Sequence, residues 1–421
     1  MIHGRHRRLP NWSIPALYAL VAVAAALILP RLEAAYLPTL HAGMSPQAAV
    51  AILSSVGTGM IALTGIVFSL AFVMVQFSAT AYSPRLVTWL ARDPVLWHAV
   101  GIFSATFLYS LGAIAWIDRA GSGKTPFFSS WLVIVLLLVS VGIFIGLIEK
   151  LSLLQIHRML AFTADQARQV IDNAYPPLDQ PQSLVDPEAY AGRPLTQTLY
   201  HAGPPRSIQA LDVPALVSLA SAVDGVITIV SPVGDTLVEG TVMLRLFGAR
   251  RPIDERELRS AFAVGAERTF EQDPKYAIRL LVDIAIKALS PAVNDPTTAV
   301  QALDQIEDLL RHLGRRRLEI GVHRDRDGTA RLFVPHPSWE DFLALGLDEI
   351  CYYGATSVQV MRRMKALVAD VLAAMPPERQ GSLRRHQKRL DAIIVSSFRD
   401  ETDRREASIE DRQGLGMPRT H

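Results

Sequence analysis

The sequence predicts a polytopic α-helical membrane domain of four spans, followed by a cytoplasmic α+β region with a small β-unit and helical hairpins. Three observations predict it. Apolar residues crowd into the first 150 positions, and the remainder reads as a charged soluble chain. The run from Ala48 to Ala79 is longer than one bilayer crossing. Beyond Ser207, short β-rich runs with Gly and Asp turns give way to amphipathic helical periodicity.

The chain of 421 residues has room for a membrane unit and one or two soluble domains. Its formal net charge of +2 gives no electrostatic support for nucleic-acid binding. The single cysteine, Cys351, excludes an intrachain disulfide and thiolate-rich metal sites.

The sequence divides into a basic tail (1–13), four spans (14–150), an amphipathic helix with a Pro-rich linker (151–206), an α+β domain (207–400) and a tail expected to be disordered (401–421). The spans are read at Ile14–Leu29, Ala48–Ala79, Val95–Ile117 and Phe127–Ile148. The first is short and follows Arg5, Arg7 and Arg8, as a secretory signal does. Pro30, Arg31 and Glu33 follow it without a small-x-small cleavage site, so an uncleaved span is expected. No charged side chain falls within the spans so drawn, which argues against an ion-coupled pump. Lys and Arg gather in the amino tail, at Arg85 and Arg92, and at Lys150, Arg158 and Arg168. They place both termini in the cytoplasm. Trp12, Trp97, Trp116 and Trp131 stand near span ends as interfacial anchors.

The second span carries a stripe of small and polar residues: Ser54, Thr58, Gly65, Ser69, Gln76 and Thr80. At ~100° per residue they lie within about 80° of one another, with Val56, Met60, Leu63, Val67, Leu70 and Met74 on the other side. In lipid the stripe is expected to be hidden. Two readings stand: close helix packing through small residues, or a solvated pathway formed by several copies of the helix around an axis.

In the soluble part, Leu151–Asn173 is an amphipathic helix and Pro176–Pro205 an irregular Pro-rich segment. A strand at Ile208–Leu211 leads to a helix capped by Asp212, with Pro214 in its first turn. Strands follow at Val226–Val230, Thr236–Val238 and Val242–Leu246. The phrase Pro232–Gly240 is similar to small β-barrels that carry biotin or lipoate, but it has no lysine at a hairpin tip, so a carrier role is disfavoured. Asp254–Phe270 reads as a helix with a capping box to Glu257. A second helix, Pro274–Leu289, carries Arg279, Asp283 and Lys287 as an ion-paired solvated face. Pro291 breaks it, and Asp295 caps the next helix with Pro296 at its first position. Ser290, Asn294, Asp295, Thr297 and Thr298 are either a polar cytoplasmic pocket or a well-made helix–turn–helix corner. A hairpin pairs Leu318–His323 with Ala330–Val334. Its His323, Asp325 and Asp327 suggest a metal, but turn chemistry accounts for the aspartates, and no metal or cofactor is expected. Helices at Ser338–Ile350, Cys351–Met375 and Glu378–Phe398 complete the fold.

The four spans, Gln76-Phe-Ser, the membrane-edge motif Tyr82-Ser83-Pro84-Arg85 and the phrase Ser290-Pro-Ala-Val-Asn-Asp-Pro-Thr-Thr-Ala299 together resemble a bacterial membrane-protein family known as domain of unknown function 2254. The resemblance covers nearly the whole chain and implies an integral inner-membrane protein. It implies no activity.

No His-Glu-x-x-His, Gly-x-Ser-x-Gly or Gly-x-Gly-x-x-Gly occurs. Gly121-Ser-Gly-Lys-Thr125 lacks the earlier glycine of a phosphate-binding loop. An enzyme is therefore not expected. The expected partners are the lipid bilayer and further copies of the chain, with the small ligand or ion unidentified. The expected role is a homo-oligomeric channel-like or transport protein; the alternative is a membrane-anchored sensor or scaffold.

Overall fold

The computed structural model describes residues 12–37, 42–81, 94–117, 125–151, 156–178, 192–270 and 272–417. The amino-terminal basic residues, Tyr82–Arg85 and Gly121–Lys124 lie outside them, as do the side chains of Met74, Gln76 and Thr80. The chain divides into two compact units, His3–Arg158 and Met159–His421.

The first unit holds four helices long and apolar enough to cross a membrane: α1 (Ser13–Tyr36), α2 (Pro46–Ala81), α3 (Pro94–Ile114) and α4 (Phe127–Leu151). Helix α3 packs against the other three. Two of its glycines admit α1 closely: a Cβ on Gly112 would lie 2.7 Å from Ala26 Cβ, and one on Gly101 would lie 2.9 Å from the Tyr18 ring. Small residues at such a seam let helix backbones approach inside lipid. Tyr18 adds a polar link, its hydroxyl 3.2 Å from His98 Nδ1. Thr106, Ser110 and Ser140 bond one another or carbonyls one turn back. Thr106 Oγ1 lies 3.2 Å from Ser140 Oγ and donates to Ile102 O, and Ser110 donates to Thr106 O.

Helix α1 runs through Pro30 to Tyr36, about two turns beyond the expected end of the first span. This buries a carboxylate where no charge was expected: Glu33 is 5% exposed. Its Oε1 accepts from Phe128 N at 3.0 Å, and its Oε2 from Ser129 N and Ser129 Oγ at 3.3 and 3.2 Å. These are free N–H groups in the first turn of α4, which an anion satisfies best. Tyr109 donates to Ser129 O at 3.0 Å beside them. Glu33 thus ties α1 to α4.

The second unit begins with α5 (Ile156–Ala174), whose apolar stripe is buried. Strands β1 (Leu195–Tyr200), β3 (Val226–Ile229), β5 (Val242–Phe247), β7 (Val322–Arg324) and β8 (Ala330–Phe333) form one sheet in the order β1-β5-β3-β8-β7. Neighbours are antiparallel except β3 and β8, which pair in parallel with Ile227 opposite Leu332. Strands β2 (Arg206–Leu211), β4 (Thr236–Leu237) and β6 (Phe262–Gly265) form a second sheet in the order β4-β2-β6. Helix α6 (Val213–Ala222) starts at Asp212, which accepts from Ala215 N. Leu199, Ile208, Leu216, Ile227, Leu244 and Leu332 fill the core shared by these elements.

Two expectations fail here for one reason. Strand β1 lies in the segment read as an irregular linker, and β6 lies where one helix was read through to Phe270. Asp254 does cap a helix, α7 (Glu255–Ser260), through Arg256 N. The chain then leaves it so that Phe262 pairs with Leu211. Burial of Leu258 and Phe262 in the β core overrides local helix signals.

The remaining helices are α8 (Pro274–Ala288), α9 (Pro296–Gly314), α10 (Trp339–Tyr353), α11 (Val358–Ala374) and α12 (Pro377–Ser397). Arg279 and Asp283 pair as expected at 2.7 Å, but half-buried and joined by Glu349 of α10, so their face is an inter-helix contact. Arg363 of α11, its side chain 3% exposed, bonds Asp304 and Glu307 of α9 at 2.8 and 2.7 Å. The tail from 401, expected disordered, carries α13 (Glu401–Ala407) and is pinned by Arg362 to Glu406 and by Arg412 to Asp370.

Two outcomes follow for thermal unfolding in detergent. Glu33→Ala should destabilise the first unit by about 1–3 kcal/mol and Glu33→Gln by less, because the amide oxygen still accepts. Arg363→Ala should cost about 1–3 kcal/mol by removing the partner of Asp304 and one of the two partners of Glu307, which keeps Arg311. An unchanged midpoint in either alanine variant would contradict the role given to that residue.

Candidate functional site

A cavity of about 1500 Å³ opens in the second unit. One wall is a single face of α6, carrying Val213, Val217 and Ser221 at four-residue spacing, with Ser218 beside them. The opposite wall is the β7–β8 hairpin at the sheet edge and the strand-like segments flanking it. Thr228 and Ile229 of β3 contribute as well.

The hairpin is organised by Asp325. Its Oδ1 accepts from Asp327 N and Thr329 N at 3.1 and 2.9 Å, and Gly328 takes a φ of +80° to close the turn. Its Oδ2 accepts from Arg331 Nε at 2.7 Å and from Ser221 Oγ of α6 at 3.3 Å. Arg331 also reaches Asp224 at 3.0 Å and the Gly225 carbonyl. The Arg331 guanidinium holds the Asp325 and Asp224 carboxyls below the usual carboxylate range. This network fixes hairpin, helix and strand around the cavity.

Two histidines face it together. Gly321 bonds Val334 through its carbonyl at 2.7 Å. A Cβ on Gly321 would strike the Val334 carbonyl oxygen and lie 3.5 Å from His336 Cδ2. The absent side chain therefore lets the Val334 backbone approach closely beside His336. His323, two residues on, shares the face of Gly321. Tyr175 of the segment after α5 meets His336 edge-on, with ring centroids 6.2 Å apart. Burial pushes the His323 imidazole down, and burial with the charges of His323 and Lys275 pushes His336 down to about 4. Both rings are neutral at pH 7. Thr228 Oγ1 is buried on the cavity wall without a hydrogen-bond partner.

Among the residues singled out from sequence, His323, Asp325 and Asp327 do line the cavity, and Asp325 serves the turn. No group of three His, Cys, Asp or Glu suited to a metal occurs among the described residues. The Ser290–Thr298 cluster comes together elsewhere, as a helix corner. Asp295 accepts from Thr298 N and Thr298 Oγ1 at 3.1 and 2.6 Å, Ser290 Oγ donates to Lys287 O, and Asn294 adopts a φ of +49° with its side chain exposed. His336, Thr228, Ser218, Ser221 and Gly321 were not singled out. Only the tertiary fold brings α6, β3 and the hairpin to one place.

The stripe of the second span is placed unexpectedly. Leu53, Met60 and Val67 turn inward onto α3, and Val56, Leu63 and Leu70 are half-buried. Ser54, Thr58, Gly65 and Ser69 face away from the bundle, and a Cβ on Gly65 would touch nothing. The apolar seam fits Ala99, Ile102 and Phe103 of α3, leaving Ser54, Thr58, Gly65 and Ser69 uncovered among the described residues.

The histidines give a pH signature. Their folded pKa values lie below the ordinary value near 6.5, so the unfolded chain takes up protons first as pH falls. Stability of the second unit should be full above about pH 6.5 and fall as pH drops towards 4, by less than the His336 shift alone would give because that side chain is partly open to solvent. Chemical denaturation across this range should show the loss, and His336→Gln should remove much of it. A flat profile in the wild type would contradict the lowered pKa values of the two histidines.

Residues 9–370 match the family described as predicted membrane protein, DUF2254. The chain is similar to uncharacterised proteins of Mycobacterium bovis and Mycobacterium tuberculosis, each 29% identical over 372 residues, 86% of this chain and 71% of theirs. No solved structure matches it significantly. With four membrane-length apolar helices ahead of a mixed helix-and-strand unit, the chain belongs to the DUF2254 family of predicted membrane proteins.

Proposed function

We propose that this chain is a membrane-anchored sensor whose second unit binds a small molecule in the cavity between α6 and the β7–β8 hairpin. The cavity itself carries this reading. It is roomy, bordered by both apolar and polar groups, and its walls are fixed by the Asp325–Arg331–Asp224 network rather than by chance packing. The distribution of Lys and Arg around the spans supports placing the second unit in the cytoplasm. The absence of known catalytic motifs favours binding over catalysis.

The test is to purify the full-length protein and a Ser218→Trp variant, in which an indole fills the cavity, and to analyse released small molecules by mass spectrometry. A compound retained by the wild type and lost from the variant is expected. Identical profiles would contradict the proposal.

The outward stripe of α2 favours a second reading, a homo-oligomeric channel-like or transport protein. One chain covers Leu53, Met60 and Val67 but leaves Ser54, Thr58, Gly65 and Ser69 bare, so any polar path along them needs further copies. Liposomes containing the protein should then pass ions, and Thr58→Leu with Ser69→Leu should reduce the flux. Equal flux in the double variant would remove the stripe from any such pathway.

A further inference from the structure

The groups facing the cavity restrict what it can hold. Arg324, Arg326 and Arg331 are matched by Glu319, Asp325 and Asp327, so the lining carries no excess charge to attract an anion or a cation. A metal lacks a three-residue ligand set among the described residues. A lipid chain needs a continuous apolar lining, and here hydroxyls and imidazoles interrupt it. What the cavity offers is two imidazoles on its lining, His323 and His336, each with a donor or acceptor nitrogen, the Phe333 side chain, and the unpartnered hydroxyl of Thr228. Flat rings stack on such side chains, and a buried hydroxyl without a partner is stabilised by any ligand that bonds it.

Resting on the sensor reading above, we propose that the cavity binds an uncharged heteroaromatic ring of the nucleobase type, its edge bonded to Thr228 Oγ1 and the imidazoles of His323 and His336.

The test uses the full-length protein in detergent at pH 7.5, with thermal unfolding and calorimetry against adenosine, uridine, ATP, inorganic phosphate and glucose. Adenosine or uridine should raise the unfolding midpoint by a few degrees. Thr228→Val, which keeps shape and removes the hydroxyl, should weaken that binding about tenfold. His336→Phe, which keeps a ring and removes both nitrogens, should weaken it similarly. Stronger stabilisation by ATP or phosphate than by adenosine would overturn the uncharged class, and equal stabilisation by glucose would overturn the ring. If no nucleoside shifts the midpoint while the purified wild type still retains a compound lost from Ser218→Trp, this inference falls and the sensor reading stands. If nothing binds and nothing is retained, both fall.

Discussion

The membrane unit depends on one constraint: α3 must meet three helices at once inside a solvent that satisfies no polar group. Gly101 and Gly112 meet it towards α1 by giving up their side chains. Ala99, Ile102 and Phe103 meet it towards α2 by offering an apolar seat. Thr106 and Ser110 meet it by bonding back along their own helix and across to α4. With α3 so committed, α2 has only its apolar side to give, and the small and hydroxyl-bearing side is turned out. Glu33 completes the arrangement by bonding the amino end of α4.

The second unit solves a different problem. Its sheet ends at a short hairpin, and that edge is not closed by another strand but held by charges: Asp325, Arg331 and Asp224 lock the hairpin to α6 and β3. The same locking leaves space beneath it, bounded by two neutral imidazoles. A conformationally fixed cavity at a sheet edge is suited to reporting occupancy, because a ligand there touches helix, strand and hairpin together.

Much of the architecture was legible in the sequence. The span hydropathy, the caps at Asp212 and Asp295 and the turn at Asp325–Gly328 are local signals, and each forms where expected. The failures are tertiary. Strands β1 and β6 take their identity from pairing with β5 and β2. Glu33 lay past a proline that a helix end would explain, and the helix continues through it. The stripe of α2 was visible, but its direction depends on which face α3 prefers. The cavity was half visible: His323 and Asp325 stood in a recognisable hairpin, while Thr228 and His336 carry no local signature and matter only by where the sheet places them.

The direction of α2 is the point on which the membrane architecture turns. With Cys351 replaced by serine, single cysteines at Leu53, Met60 and Val67 and at Ser54, Thr58 and Ser69 can be probed in native membranes with a lipid-soluble maleimide and an oxidative crosslinker. The account predicts that the first set is protected and the second set reacts or crosslinks between copies. Reactive cysteines at Met60 and Val67, with Thr58 and Ser69 protected inside the bundle, would contradict it.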